Sequence, residues 1–389
     1  MKRLLMLLSL LAAFPPLSTD MYLAAIPHLQ QLWNQPLMMV NLTLIGFFFG
    51  YCLGMLVYGP ISDRFGRRRP LLIGIGIFIA ASGLCALAGN ITTLIAARIL
   101  QATGAAAASA LSLAMSKDLF ESRQRVRILA YIAVIVALAP MLAPIIGGWI
   151  IHYSSWRWVF VFQGAMGLIA WIGVYRMAEP LSQFRALSVG DALKVYLGLL
   201  RNRRFAGLTL AMSSLILPFF GFLAACSEIY MVRFGMDERR FSYFFAFNAL
   251  AFMAGPIAFG RLLQWFSTAA LLTISFAGIG AAGLLMMALP HHSPWSLALP
   301  MWATTFCLGM SRPPSNNLIL DQVDRDVGAA SAMIIFTFMT IGAVAMGLIS
   351  LNWPDKITVL GGLGGLAGIG TLIFWLKAQR RFLPAAGSS

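Results

Sequence analysis

The residues best placed to do chemistry in this 389-residue chain are a few charged side chains in apolar sequence. Asp20 stands in "STDMYLAAIP" (18–27), Arg98 in "LIAARILQATGAAAA" (94–108) and Glu228 in "CSEIYM" (226–231). An ion inside an apolar span is costly, so it pairs or faces a polar cavity. Two readings of Asp20 with Arg98 stay open. One is an ion pair that fastens two helices. The other is a site where the carboxylate alternately holds a proton and meets a substrate, with Arg98 tuning it. Gln101 lies one turn from Arg98 and shares its face. Glu228 stands near the end of its span, where plain hydration also accounts for it. A catalytic cluster of His, Asp or Ser at one depth is absent from the sequence, so no enzyme activity, cofactor or metal is expected. Cys52, Cys85, Cys226 and Cys307 fall within apolar segments and suggest neither a disulfide framework nor a metal site. His28, His152, His291 and His292 lie in or beside loops, as solvated histidines would. "GLGGLAGIG" (362–370) lacks the Gly-Lys-Ser/Thr ending of a phosphate loop and reads as helix packing.

These residues need a bilayer around them. Sixty per cent of the chain is hydrophobic, 11% is charged, and the mean hydropathy is +0.82. A span takes about 20 mostly apolar residues. Twelve fit, near 4–27, 37–61, 71–89, 92–116, 126–152, 157–177, 205–230, 240–262, 269–289, 296–320, 327–350 and 357–376. The start, "MKRLLMLLSLL", resembles a cleavable signal, but with eleven more spans behind it the first is expected to be retained. Of the 28 Lys and Arg, 22 fall on one set of connections, counting Arg312 and Arg325, five on the other, and Arg98 alone inside. That bias puts both termini in the cytoplasm. It also assigns the net charge of +15 to lipid headgroups rather than to nucleic acid.

The longest polar connection, 178–204, carries Pro180, Ser182, Ser188 and Gly190 and an expected amphipathic surface helix near 189–200. It divides the chain into 1–177, the linker 178–204, and 205–389. Similarity between the halves supports duplication. "STDMYL" (18–23) aligns with "CSEIYM" (226–231), setting Asp20 over Glu228 and Tyr22 over Tyr230. "GMLVYGPISDRFG" (54–66) aligns with "GPIAFGRLLQWFS" (255–267), setting Gly54 over Gly255, Gly59 over Gly260, and Gln264 opposite Asp63.

"YGPISDRFGRRRPLL" (58–72) resembles the signature loop between spans 2 and 3 of the major facilitator superfamily. "LIAARILQATGAAAA" resembles that family's Arg-centred span 4 motif, and "APMLAPIIGGW" (139–149) its span 5 antiporter motif, with Ala139 and Ala143 where glycines are commoner. With "STDMYLAAIP" and "WRWVF" (156–160), these features resemble the Bcr/CflA drug-exporter branch. The resemblance implies an all-α membrane protein of twelve helices in two pseudo-symmetric six-helix bundles, in a bacterial inner membrane. It implies export of small, partly apolar drugs or metabolites in exchange for protons, by a monomer. An importer of a small metabolite, proton-coupled or facilitated, and a non-transporting receptor remain as alternatives.

The same resemblance gives roles to residues. Asp20, Tyr22, Arg98, Gln101 and Tyr230 would line the substrate cavity, with Asp20 or Glu228 carrying the proton. The favoured reading of Asp63 and Arg67, with Arg64 and Asp118, is a cytoplasmic latch between the halves. Its Gly59 and Gly66 would permit close backbone approach and a tight reversal. In span 5 the stripe Ala139, Ala143 and Gly147 suits close packing, Pro140 and Pro144 should bend the helix, and these residues with Gly148 are expected to gate.

Overall fold

The computed structural model describes residues 2–120, 122–180, 189–323 and 327–382. Ser182, Arg185, Ser188 and Arg325, which entered the linker and charge readings, lie outside them. The first helices are α1 (Lys2–Ala12), α2 (Phe14–Asp20), α3 (Ile26–Trp33), α4 (Leu37–Phe65), α5 (Arg68–Leu87), α6 (Ile91–Leu119), α7 (Ser122–Tyr153) and α8 (Trp156–Tyr175). After them come α9 (Val189–Arg201), α10 (Arg203–Ser214), α11 (Leu217–Ser227), α12 (Glu238–Leu262), α13 (Thr268–Ala288), α14 (Trp295–Leu320), α15 (Val327–Ile349) and α16 (Lys356–Phe382).

Among the described residues, ten helical segments are long and apolar enough to cross a membrane, and the bent pair that opens the chain makes an eleventh. The remaining expected span is α14, a continuous 26-residue helix that carries Arg312 and three prolines. Arg312 therefore lies inside a helix, eight residues before its end, and not in a connecting loop as the charge count had it. Arg98 is not the sole cation within the spans.

The first span is neither straight nor finished at Pro27. Pro15 and Pro16 begin α2, and without N–H groups they leave the Leu11 and Ala12 carbonyls without helical donors. The axis turns by 45° there. The chain then tightens into a 3₁₀ turn at Leu23–Ala25 and continues through α3 to Trp33. The seventh span behaves alike: Pro218 opens α11, and the helix loosens into a π segment at Glu228–Arg233. Asp20 closes α2 and Glu228 opens the π segment, so the aligned acids both stand where regular α geometry ends.

Two compact units form, Met1–Lys194 with Met236–Ala246, and Val195–Gly235 with Phe247–Ser389. In the first, α5 packs on α6 and α8, α4 on α6, and α1 on α7; in the second, α13 packs on α14 and α16, and α11 on α15. Small residues allow these approaches. A Cβ on Gly54 would sit 2.6 Å from the Ala106 Cβ, and one on Gly255 would sit 2.5 Å from the Phe306 carbonyl oxygen. The aligned glycines thus do the same job, bringing α4 onto α6 and α12 onto α14. The glycine run of α16 packs as its sequence suggested, with Gly368 against the backbone of Gly280 in α13. Gly59 does not fit the expectation of close approach, because a Cβ there would meet nothing within 4 Å.

Candidate functional site

Arg98 is fully buried in the first unit, one of the largest such side chains. Its guanidinium carbon lies 4.3 Å from the Phe47 ring centroid, 5.1 Å from that of Tyr22 and 5.8 Å from that of Phe160. Nη1 donates to the Ser18 carbonyl at 3.1 Å and to Gln101 Oε1 at 2.5 Å. Gln101 Nε2 in turn donates to Ser82 Oγ at 2.8 Å and Gln163 Oε1 at 2.9 Å, and Gln163 Nε2 reaches the Leu17 and Ser18 carbonyls. The backbone explains why. Tyr22 N–H bonds to the Thr19 carbonyl, three residues back, so Ser18 loses its usual helical donor. A buried carbonyl needs a partner, and Arg98 and Gln163 supply it from α6 and α8.

The expected pairing of Arg98 with Asp20 does not occur. The guanidinium makes no ion pair with the carboxylate, and Nε and Nη2 are buried without a hydrogen-bond partner. Asp20 is 6% exposed, and its one hydrogen bond among the described residues comes from Thr19 Oγ1 at 2.8 Å. The expected first span, 4–27, would put Asp20 about 10 Å from its outer end at about 1.5 Å per residue. Because α3 runs on to Trp33, Asp20 lies roughly 20 Å from that end at about 1.5 Å per residue. Tyr22, fully buried in the same irregular turn, has its hydroxyl 3.1 Å from Thr43 Oγ1.

The span 5 motif reaches the same turn. A Cβ on Gly147 would lie 2.0 Å from the Met21 carbonyl oxygen, so bare backbone lets α7 lie against the residue after Asp20. Ala139 and Ala143 continue the buried stripe. Gly148 faces Ser242, whose Oγ is 2.7 Å from the Pro144 carbonyl oxygen. Despite Pro140 and Pro144, α7 is one helix.

At the basic end of the unit, Arg67 is the hub. Its Nη1 meets Asp63 at 2.6 Å and Ser62 Oγ at 2.5 Å, and its Nε meets Asp118 at 2.8 Å. Sequence reading missed Glu179, whose carboxylate accepts from the Arg67 and Arg68 backbone N–H groups at 2.7 and 3.0 Å. Gly66, at φ +88°, makes the turn, and its missing side chain leaves room for Glu179. Arg64 lies over the Phe65 ring. All these partners belong to the first unit, so the network braces spans 2, 3 and 4 with the start of the linker.

In the second unit, Glu228 is paired with Lys356 Nζ at 2.5 Å. Beside it Asp355 takes Arg233, His291 Nδ1 at 2.5 Å, Thr358 Oγ1 at 2.7 Å and the Ile357 N–H at 3.1 Å. Burial alone would raise the Asp355 pKa, but the hydrogen bonds from Thr358, Arg233, Ile357 and His291 outweigh it and bring it down from 3.8 to about 2. Tyr230 is buried, with its ring 6.4 Å from that of Phe222. The histidines are not simply solvated: His28 and His152 reach the two Glu238 oxygens at 2.7 and 3.2 Å. Their shared partner lies far along the sequence, where spacing gives no signal.

The sequence profile of the Major Facilitator Superfamily matches residues 8–347. The chain is 31% identical over 382 residues to the MFS-type transporter YdgK of Bacillus subtilis, covering 96% of this chain and 95% of that one. It is 25% identical over 382 residues to a bicyclomycin resistance protein homolog of Haemophilus influenzae, with the same shares covered. The structure of the xylose transporter XylE from E. coli superposes with a TM-score of 0.77 at 15% identity, over 100% of this chain and 99% of that one, a likeness of fold. On the profile match and the relative of nearly equal length, the chain belongs to the major facilitator superfamily and is a multi-pass membrane transporter, not an enzyme.

Proposed function

We propose that this transporter exports small, partly apolar drugs or metabolites across a bacterial inner membrane in exchange for protons, with both termini cytoplasmic and halves 1–177 and 205–389 joined by 178–204. The observation that carries the reading is the buried Asp20 carboxylate, set at a break in the first span and held by one neutral donor, Thr19. A carboxylate with no ion pair is free to take up a proton in one state and give it to the opposite side in another. Tyr22 and Gln101 are buried around the same break and are assigned to the substrate beside it; Tyr230, aligned with Tyr22, is assigned the same role in its own half. Arg98 holds the broken backbone in place rather than balancing Asp20. Gly147 lets α7 bear on that break, and the Asp63–Arg67–Asp118 network steadies the basic end; both suit gating. The resistance-protein relative supports drugs as substrates.

The test is a pump-deficient bacterial host expressing the chain, challenged with bicyclomycin and a panel of apolar antibiotics, beside proteoliposomes carrying an imposed proton gradient. Raised resistance and gradient-driven substrate movement support the reading, provided Asp20→Asn abolishes both. Substrate uptake along the proton gradient would establish an importer instead.

A further inference from the structure

Arg312 is a guanidinium within a membrane-spanning helix that has neither a hydrogen bond nor an ion pair among the described residues. It stands about 12 Å from the end of α14 at about 1.5 Å per residue. Its one contact of note is a ring: the guanidinium carbon lies 3.6 Å from the centroid of Phe338 on α15. Such stacking occupies a face of the ion and leaves its edge, with five N–H donors in a fork, unused. The residue as a whole is intermediate in exposure.

The surroundings are built to hold it. One turn earlier, Gly309 and Gly255 bring α14 and α12 into backbone contact, which fixes the helix from which Arg312 projects. Pro313 and Pro314 follow it directly, and their missing N–H groups leave the Gly309 and Met310 carbonyls without helical donors. The helix nonetheless runs on through both prolines. Ser315, one turn on and 4% exposed, has a hydroxyl with no partner. Aromatic rings extend away from Phe338: Phe220 lies 5.8 Å from it, Phe219 lies 6.1 Å from Phe220, and Phe252 stacks on Phe219 at 5.7 Å.

We propose that Arg312 is a ligand-binding residue of the second unit, taking the anionic group of an aromatic compound whose ring rests against the phenylalanines. The reading deepens the transport proposal and rests on it, since it says which compounds the carrier prefers: aryl carboxylates and similar anions over aryl ammonium ions. A fork of donors matches a carboxylate bidentately. An unpaired cation in a span repels an ammonium group, whereas a carboxylate gives it the partner it lacks.

The experiment uses the full chain in lipid nanodiscs with three probes on one aromatic body: dansylglycine (anionic), dansylamide (neutral) and dansylcadaverine (cationic). Dansyl fluorescence reads binding with no proton gradient, so it can succeed where proton-driven export fails, and the reverse. The native chain prefers dansylglycine. Arg312→Gln weakens dansylglycine by about tenfold or more, the effect of losing a charge-assisted hydrogen bond, and leaves dansylamide within about twofold. Arg312→Lys keeps the charge and part of the preference, and a melting curve for each variant establishes that it is folded. Equal weakening of the anionic and neutral probes by folded Arg312→Gln, no change in any probe, or native preference for dansylcadaverine overturns the proposal.

Discussion

Arg98 Nη1 donates to the Ser18 carbonyl at 3.1 Å, two residues short of Asp20, and makes no ion pair with the carboxylate. Removing either residue should therefore have unequal effects. Arg98→Ala strips donors from Ser18 and Gln101 and opens a void among three rings, which should cost roughly 2–4 kcal/mol. Asp20→Asn keeps an oxygen for the Thr19 hydroxyl and should cost less than about 1 kcal/mol. Thermal melts of the purified variants in one detergent check the order. Equal losses would mean that the two residues are paired after all.

Gly147 and Gly59 form a matched contrast. Ala at 147 puts a methyl 2.0 Å from the Met21 carbonyl oxygen, and overpacking against backbone typically costs about 1–3 kcal/mol. Because the displaced backbone adjoins Asp20, transport should fall with stability. Ala at 59 meets open space and, in mid-helix, should stabilise by about 0.5 kcal/mol. Melting and resistance measured side by side decide the contrast, and a tolerated Gly147→Ala would remove the contact from the mechanism.

Much of this was legible because hydropathy, loop motifs and small-residue stripes are local. Most span positions follow from such signals, and so does the grouping of Asp63, Arg67 and Asp118, although the sequence reads it as a latch between the halves and these partners all lie in the first unit. What was hidden depended on shape. The Pro15–Pro16 bend and the run of α3 to Trp33 changed the depth of Asp20 and redirected Arg98 to a carbonyl. The charge count sets Arg312 with the cytoplasmic connections although it falls within the expected span 296–320, and α14 holds it inside the helix. Glu179 and Glu238 find their partners 112 and 210 residues away, a separation over which no periodicity reports.

Glu179 should matter more than an exposed linker residue ordinarily does. It accepts two N–H bonds that the turn at Gly66 leaves free. Glu179→Ala is expected to loosen residues 66–69, seen as faster amide exchange there with the helix interiors unchanged. Gly66→Ala should do the same and cost about 1–3 kcal/mol, because its backbone at φ 88° and ψ 167° suits glycine and the new methyl meets the Glu179 carboxylate. Unchanged exchange in Glu179→Ala would show that the carboxylate only decorates the turn.

The Asp355 cluster carries a pH dependence of definite sign. Its carboxyl is lowered from 3.8 to about 2 by its hydrogen bonds, against the opposing effect of burial. A depressed acid contributes stability above its unfolded pKa and loses it as pH falls through the folded one. The contribution should be complete above about pH 5 and vanish between about pH 4 and 2. Asp355→Asn should remove that limb from a stability profile taken from pH 7 to 2, and a profile unaltered by the substitution would separate the cluster from stability.

Glu228 and Asp20, aligned in the two halves, should part company in a transport assay. Glu228 has an acquired partner, Lys356 at 2.5 Å, and its side chain is 26% exposed. Such a partly exposed pair is worth about 0–1 kcal/mol. Asp20 has only the Thr19 hydroxyl and is buried. If Asp20 is the coupling group, Glu228→Gln retains most proton-driven transport and loses little stability, whereas Asp20→Asn stops uphill movement while downhill exchange of substrate continues. Proteoliposomes with an imposed pH difference, run with and without an opposing substrate gradient, separate the two. Uphill transport that survives Asp20→Asn and fails in Glu228→Gln would move the proton site to the π segment of the seventh span.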